Sequence, residues 1–290
     1  MLTRKRLSLG AILVAPVLIY LLLLQAYPLV SAVLTSLTDK RIGTDGQFVG
    51  LENYIELAND PLFLRAVVNS ILFTFGAIVF KLLLGLIMAM VLNQPLPLRY
   101  LWRALLFIPW TIPTIITVLT FRWMYSPTGG VFNHLLLSSG AIDFPVDWLG
   151  RPTNALISVI IVNIWRGTPF FGISLLGALQ SIPNAWYEAA QIDGASRFQQ
   201  FRFITLPSIR NVAILVTLVS TIWTLNDFQI IWVLTRGGPA NSTQVFATLT
   251  YTEAFLNLEL GRAIAISVFS IPILIVLIGW ATNQIIGREE

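Results

Sequence analysis

The chain has 290 residues, of which 56% are hydrophobic and only 11% carry charged side chains. Soluble domains average about 25% charged residues, so this composition is typical of a protein that lies in a lipid bilayer. Six apolar stretches of membrane-spanning length occupy most of the sequence, and they exclude a soluble enzyme, a disordered protein and a nucleic-acid-binding protein. The net charge of +4 is then carried mainly by the loops, and no nucleic-acid partner is expected.

Residue types that carry chemistry are scarce. The sequence has no cysteine and one histidine, His134, which excludes disulfides, thiolate chemistry and a histidine-based metal site. Its three lysines, Lys5, Lys40 and Lys81, do not lie in a phosphate-binding G-x-x-x-x-G-K-[ST] loop. Neither a Ser-His-Asp arrangement nor a catalytic pair of carboxylates is evident. We therefore expect no catalytic residue, no metal site, no cofactor and no nucleotide site.

The apolar stretches predict transmembrane helices. A helix needs about 20 mostly apolar residues to cross about 30 Å of hydrocarbon. The apolar stretches between flanking charges hold at most one charge each: 7–38, 66–98, 104–121, 152–187, 211–235 and 263–287. The predicted spans run roughly over residues 10–35, 65–93, 103–125, 153–180, 209–234 and 262–286. The fold class is therefore all-α, a polytopic membrane protein with about six helices, and residues 1–290 are expected to form one domain.

Basic residues predict the orientation of these spans. An even number of spans places both termini on one side, and the Arg4-Lys5-Arg6 cluster before the first span indicates the cytoplasm. Lys and Arg are also more frequent in the predicted cytoplasmic segments than in the outer ones. A cleaved signal peptide is the alternative for the first span, but its apolar run is too long and lacks a small-residue cleavage site.

Residues 181–207 form a cytoplasmic loop that predicts two short helices. Pro183 suits a first helical turn, and Gly194 supplies a stop. Ser196 and Gln199 have the spacing of a capping box, which opens the second helix. Three apolar residues recur in the second helix at helical spacing and form an apolar face that can contact another surface: Phe198, Phe201 and Ile204. The loop is expected to dock on a partner; the alternative is an amphipathic turn on lipid headgroups, which its acidic residues disfavour.

This loop also carries a family resemblance. Glu188-Ala189-Ala190, then Gly194, then Leu206-Pro207 have the order and spacing of the EAA loop in permease subunits of ATP-binding-cassette importers. The flanking stretches resemble the carbohydrate-uptake, maltose-type branch: GALQSIP at 177–183 and VLTRGGP at 233–239. The resemblance implies that this coupling loop sits in a cleft of an ATPase subunit. The implied coupling residues are Glu188, Ala189, Ala190, Asp193, Gly194, Leu206 and Pro207.

The resemblance further implies an assembly. The chain would be a type I importer permease in a bacterial or archaeal cytoplasmic membrane, enclosing a translocation path together with a second, different permease subunit. A cytoplasmic dimer of ATP-binding subunits would hydrolyse ATP, and an extracytoplasmic solute-binding protein would deliver the substrate. That substrate would be a sugar, an oligosaccharide or a related polyol.

Two ionisable residues inside predicted spans, Arg166 and Asp227, mark a candidate substrate path, since charges at membrane depth are costly. Ser220, Thr224 and Asp227 are spaced i, i+4, i+7, which predicts one polar helix face. In the maltose-type branch the sugar site also uses the span with a Pro-aromatic-x-x-Pro pattern, here at 109–113. The implied path residues are Trp110, Thr114, Asn163, Gly167, Ser220, Thr224 and Asp227, with Arg166 beside them. Trp110, Thr224 and Asp227 depart from the residue types of that branch, which leaves the sugar open.

The roles of the charged and aromatic residues in these spans have alternatives. Arg166 and Asp227 either contact the substrate or form a structural ion pair, and Trp110, Trp165 and Trp223 either stack on sugar or simply pack. Lys81 is expected to extend toward the cytoplasmic headgroups or to pair locally, without a function.

The sequence fits two other functions less well than a permease. An ion-coupled secondary transporter using Asp227 and Arg166 would not need the docking loop, and no inverted repeat is evident. A membrane enzyme lacks any acid–base or metal constellation.

Overall fold

A computed structural model describes residues 13–286, so the predicted basic cluster Arg4-Lys5-Arg6 lies outside the described residues. This part of the chain is mainly helical, and we number its helices α1 to α12. Their bounds are α1 (Leu13–Ser36), α2 (Glu52–Asn59), α3 (Pro61–Leu92), α4 (Arg99–Thr111), α5 (Thr114–Met124), α6 (Val131–Ser138), α7 (Pro152–Gln180), α8 (Asn184–Ile192), α9 (Arg197–Leu225), α10 (Gln229–Leu234), α11 (Phe246–Tyr251) and α12 (Leu260–Ile286). Single π-helical turns occur within α1, within α9 and directly after α11: Leu22–Ala26, Phe201–Thr205 and Thr252–Leu256.

Five of these helices are long and apolar enough to cross a membrane: α1, α3, α7, α9 and α12. The pair α4 and α5 passes the same test when its two helices are taken together, which gives up to six spans between residues 13 and 286. The prediction of an all-α polytopic membrane protein with about six helices is therefore confirmed.

The third predicted span, 103–125, is wrong as a continuous helix. Its two halves, α4 and α5, meet at an angle of 88° across a break at Ile112 and Pro113. Proline disfavours helical backbone in the residue before it, and Ile112 is accordingly extended, with φ −70° and ψ 130°. The break directs the residues on either side of it, Trp110 and Thr114, toward one region.

The fifth predicted span, 209–234, has different bounds. The helix begins at Arg197, so the second docking helix and the span form one helix, α9, joined through a π-helical turn. It ends at Leu225, and the chain restarts as α10 at Gln229. Ser220 and Thr224 therefore share a helix, but Asp227 lies beyond its end. The predicted three-residue helical stripe is wrong in this respect.

The chain divides into two compact units, and the expectation of one domain over residues 1–290 stays a prediction. One unit comprises the described residues up to Asp60 together with Leu249–Ile271. There the Asn53 side chain donates hydrogen bonds of 2.8 and 2.9 Å to the backbone carbonyls of Ser36 and Thr38, fixing α2 against the end of α1. Arg262 contacts three carboxylates of the same unit, from Glu56, Asp60 and Glu253.

The other unit comprises Pro61–Thr248 and the described residues from Pro272 onward, and α3 packs along α7 within it. Glycines permit this close approach, because a Cβ atom on Gly85 would lie 2.3 Å from the Cβ of Phe171. A buried core joins α3, α5, α7 and α10 through Phe73, Val118, Val159, Val162 and Ile230. This core holds together the elements that carry the candidate site.

Candidate functional site

A cavity of about 350 Å³ lies in this second unit, where the break between α4 and α5 and the break between α9 and α10 meet. It is lined by all eight residues of the predicted path: Trp110, Thr114, Asn163, Arg166, Gly167, Ser220, Thr224 and Asp227. Five further residues complete the lining: Lys81, Trp223, Asn226, Phe228 and Gln229. Sequence positions more than 100 residues apart thus converge on one cavity.

Two interrupted helices at one cavity are informative about its environment. A helix break leaves backbone N–H and C=O groups without partners, which lipid does not satisfy. Such breaks occur at membrane depth only where the backbone is buried in protein or lines a cavity that water or a ligand can enter. The breaks at Pro113 and at residues 226–228 therefore favour a polar, accessible cavity.

Asp227 has a defined structural role at the second break. Its Oδ1 accepts a hydrogen bond of 3.2 Å from the backbone N–H of Ile230, so the carboxylate caps the first turn of α10. Its Oδ2 accepts a hydrogen bond of 2.9 Å from Nδ2 of Asn163 on α7. The carboxylate thus joins α7 to α10 at the edge of the cavity.

The alternative of an ion pair between Arg166 and Asp227 is not realised. No ion pair joins these two side chains, although both line the cavity. The Arg166 guanidinium instead lies over Trp110, with its Cζ 5.6 Å from the ring centroid, a cation–π arrangement. The buried Nε of Arg166 and the buried Oδ1 of Asn163 have no hydrogen-bond partner among the described residues.

Lys81 is the most informative residue that sequence reasoning left without a function. Its side chain is buried, with 3% exposure. The ammonium donates hydrogen bonds of 3.0 Å to Oγ1 of Thr224 and 3.5 Å to Oγ of Ser220. The expected extension to the headgroups is therefore wrong, and the local pairing is what occurs. A signal was available: Lys81 is eleven residues from the end of α3 at Leu92, about 16 Å along the axis, farther than its side chain reaches.

Aromatic rings form one side of the cavity. Trp110 stacks on Phe170 at 5.1 Å between centroids and lies 5.6 Å from Trp223, and Phe170 lies 5.0 Å from Trp223. Trp110 and Trp223 therefore both pack on neighbours and line the cavity, so the two interpretations of these residues are compatible. Trp165 does not line it and instead contacts Phe121 edge-on at 5.3 Å.

The coupling loop has the two short helical segments that its sequence predicts. The α8 helix ends in a Schellman motif: Ala195 N–H donates to the Ala190 carbonyl at 2.8 Å, and Gly194 N–H donates to the Gln191 carbonyl at 3.0 Å. Gly194 has φ +79°, in the left-handed region that favours glycine. The capping box of Ser196 and Gln199 is present at the start of α9.

The exposed surface of this loop differs in part from the expected one. Glu188 is exposed, as a docking residue requires. Phe198 is 73% exposed, but Phe201 and Ile204 are half-buried. Phe203, which the prediction did not include, is 72% exposed. The chain adopts a π-helical turn from Phe201 to Thr205, which shifts the α-helical spacing on which the prediction depended. Tyr187 hydroxyl lies 2.9 Å from Oγ1 of Thr205 and ties the two segments together.

Comparison with known proteins identifies the family. Residues 81–284 match the model of the family described as the binding-protein-dependent transport system inner membrane component. The chain belongs to this family. The EAA loop at 181–207 is typical of it, and the prediction of an importer permease is confirmed.

Curated relatives agree over nearly full length. The trehalose/maltose transport system permease protein of Thermococcus litoralis is 37% identical over 264 residues, covering 90% of this chain and 89% of that protein. The lactose transport system permease protein of Rhizobium radiobacter is 36% identical over 250 residues, covering 85% and 83%. The alternative of an ion-coupled secondary transporter finds no support among these relatives.

The fold also matches a solved structure. A chain of a bacterial ABC transporter involved in the import of the acidic polysaccharide alginate superposes with a TM-score of 0.83, covering 99% of this chain and 98% of that one. At 23% sequence identity this likeness supports the fold alone. The permease therefore has the fold of an ABC importer subunit.

Proposed function

We propose that this permease forms, with a second permease subunit, the path by which a sugar, an oligosaccharide or a related polyol enters the cell. The observation that carries this proposal is the single cavity at two helix breaks, lined by Trp110, Asn163, Arg166 and Thr224 among others. Relatives more than one-third identical are named for trehalose, maltose and lactose transport, which supports a carbohydrate substrate.

The chemistry of the cavity fits a carbohydrate. Trp110 and Trp223 offer flat apolar faces for the C–H surfaces of a sugar ring. Near these rings, Thr114 supplies a hydroxyl group and Asn163 and Asn226 supply amide groups, which can form hydrogen bonds with sugar hydroxyls. The unpaired Oδ1 of Asn163 is an acceptor that a hydroxyl would satisfy.

Energy for transport is expected to enter through the coupling loop. Glu188 is exposed on α8, and Phe198 and Phe203 present aromatic rings on α9. A cytoplasmic ATPase dimer with a basic residue and an apolar cleft would bind this surface. Because α9 runs without interruption from the loop at Arg197 to Thr224 in the cavity, a movement of the loop is transmitted to the path.

The remaining expectations complete the assembly. An extracytoplasmic solute-binding protein delivers the substrate, and both termini of the permease lie in the cytoplasm of a bacterial or archaeal cell. The chain itself acts in transport and contributes no catalytic residue or cofactor.

Reconstitution tests this function. The permease is co-purified with its partner permease and ATPase, placed in proteoliposomes, and supplied with the solute-binding protein and a panel of labelled neutral and acidic disaccharides. Uptake of at least one of them should require internal ATP, cease with vanadate, and fall at least tenfold in Glu188→Lys, which presents a cation to the basic partner. Gly177→Ala, on the open side of α7, should import at the normal rate. Uptake driven by an ion gradient without the ATPase would contradict the proposal.

A further inference from the structure

The charges in the cavity are unbalanced. Lys81 and Arg166 are two cations, and Asp227 is the one carboxylate among the residues that line it. That carboxylate already accepts hydrogen bonds from Asn163 and from the backbone of Ile230. Between residues 13 and 286 neither cation forms an ion pair. An unpaired cation at membrane depth is costly, so a counter-charge from outside the chain would be stabilising.

Both cations have N–H groups that donate no hydrogen bond to a described residue. The ammonium of Lys81 has three N–H groups, and the two hydroxyls of Ser220 and Thr224 account for two of them. The Arg166 guanidinium has five N–H groups and makes no hydrogen bond to a described residue, and its Nε is buried without a partner. Trp110 holds the guanidinium in place through its ring but accepts no hydrogen bond from it. The site therefore presents fixed, unsatisfied donors.

We propose that the transported carbohydrate is anionic, and that Arg166 and Lys81 receive its carboxylate or sulfonate group while Trp110 and Trp223 contact the sugar ring. A planar carboxylate fits the fork of the Arg166 guanidinium, and an ammonium adds a second charge-assisted donor. This inference rests on the proposed sugar-import function and names its substrate class. A neutral sugar would leave the excess positive charge of the cavity uncompensated during passage.

The test is a binding measurement on the permease–permease–ATPase complex in lipid nanodiscs, without the solute-binding protein, so that affinity reports on the cavity. The probes are cellobiose, its terminal glucuronate counterpart and a 6-sulfonated disaccharide. The charged probes should bind at least tenfold more tightly than cellobiose. Arg166→Gln should weaken their binding about 10- to 100-fold and leave cellobiose within about twofold. Lys81→Met should act in the same direction.

Arg122→Gln is the matched control, since it removes the same charge from an exposed position on α5 outside the cavity, and it should leave all affinities unchanged. If the two charged probes bind with different affinities, the probe that binds more tightly shows whether the site prefers a carboxylate or a sulfonate. Equal binding of charged and neutral probes would overturn the inference while the sugar-import function stands.

Two further results would also overturn the inference. One is loss of the second permease subunit in Arg166→Gln, because the cation would then serve the subunit interface. The other is binding and uptake of neither sugar class, which would reject the sugar-import function as well.

Discussion

Gly167 of α7 lies so close to Lys81 of α3 that a Cβ atom at position 167 would stand 2.6 Å from Cε of the lysine. The absent side chain is what allows the lysine to cross α7 and reach Thr224 on α9. Three helices therefore meet at one ammonium group. A residue that sequence reasoning gave no function, Lys81, and one that it placed on the path, Gly167, depend on each other.

Gly167→Ala should disturb the cavity without preventing assembly, because the clashing atoms belong to the flexible end of a side chain. Displacing the ammonium from Thr224 should cost about 1 kcal/mol in the bound state, which corresponds to about a 5-fold higher KM for uptake. Gly177→Ala is the control on the same helix, since nothing lies within 4 Å of its added Cβ. Equal KM values for the two variants would show that the position of Lys81 does not matter for transport.

Asp227 should behave as a helix cap rather than as the partner of Arg166. Asparagine caps a helix about as well as aspartate, so Asp227→Asn should lower the midpoint of thermal unfolding of the complex less than Asp227→Ala does. Asp227→Ala removes the cap of α10 and the acceptor for Asn163, and should cost about 1–3 kcal/mol. If Asp227→Asn instead abolishes assembly and Arg166→Leu restores it, the two residues form an ion pair in the complex.

Gly194 should tolerate residues according to how readily they adopt positive φ. No atom lies within 4 Å of its would-be Cβ, so backbone strain alone distinguishes the variants. Gly194→Asn should retain the ATPase during purification, Gly194→Ala should retain less, and Gly194→Val should retain least, since a β-branched residue is an outlier there. The checking measurement is the ratio of ATPase to permease after affinity purification. If the ratio is the same in all three variants, the Schellman turn at Gly194 is not needed for binding of the ATPase.

Arg262 should stabilise the unit formed around α2. Its guanidinium contacts Glu56 at 3.1 Å, Asp60 at 2.5 Å and Glu253 at 4.0 Å, and the Glu253 side chain is only 7% exposed. Arg262→Met removes the cation that these three carboxylates share and should destabilise the protein by about 2 kcal/mol or more.

The matched control for Arg262→Met is Arg41→Met, which breaks a pair with Glu259 whose arginine is 66% exposed, and it should cost less than about 1 kcal/mol. Comparable shifts of the unfolding midpoint in both variants would contradict this account of the Arg262 contacts.

The parts of the fold that follow from local composition could be predicted from the sequence. Long apolar runs predicted α1, α3, α7 and α12, and the capping box and Gly194 predicted the coupling loop. The helix breaks at Pro113 and at Asn226 and Asp227 were not predicted. The length and mean hydropathy of an apolar segment are the same whether its helix is continuous or broken. In a soluble segment a helix break is an ordinary turn, because water satisfies its backbone polar groups. In an apolar membrane segment those groups need a cavity or protein partners, and only the tertiary structure shows them.

The candidate path shows the same limit. Its eight residues were reached through family resemblance together with the rarity of charge in apolar segments, and all of them line one cavity. The role of Lys81 depends on Gly167, which lies 86 positions later, so no local pattern indicates it. The partner of a buried charge is a long-range contact, and its identity requires the fold.

The cavity around Trp110, Arg166 and Thr224 is the proposed substrate path, and cysteine labelling in the complex tests this role most directly. The sequence has no cysteine, so Asn226→Cys places one thiol in the cavity and Ser139→Cys places one thiol on the exposed end of α6. Both are reacted with a small methanethiosulfonate reagent, with and without the disaccharide that the reconstituted complex imports. We predict that the substrate slows labelling of Asn226→Cys at least fivefold and leaves Ser139→Cys unchanged; equal labelling of Asn226→Cys with and without saturating substrate would contradict the account.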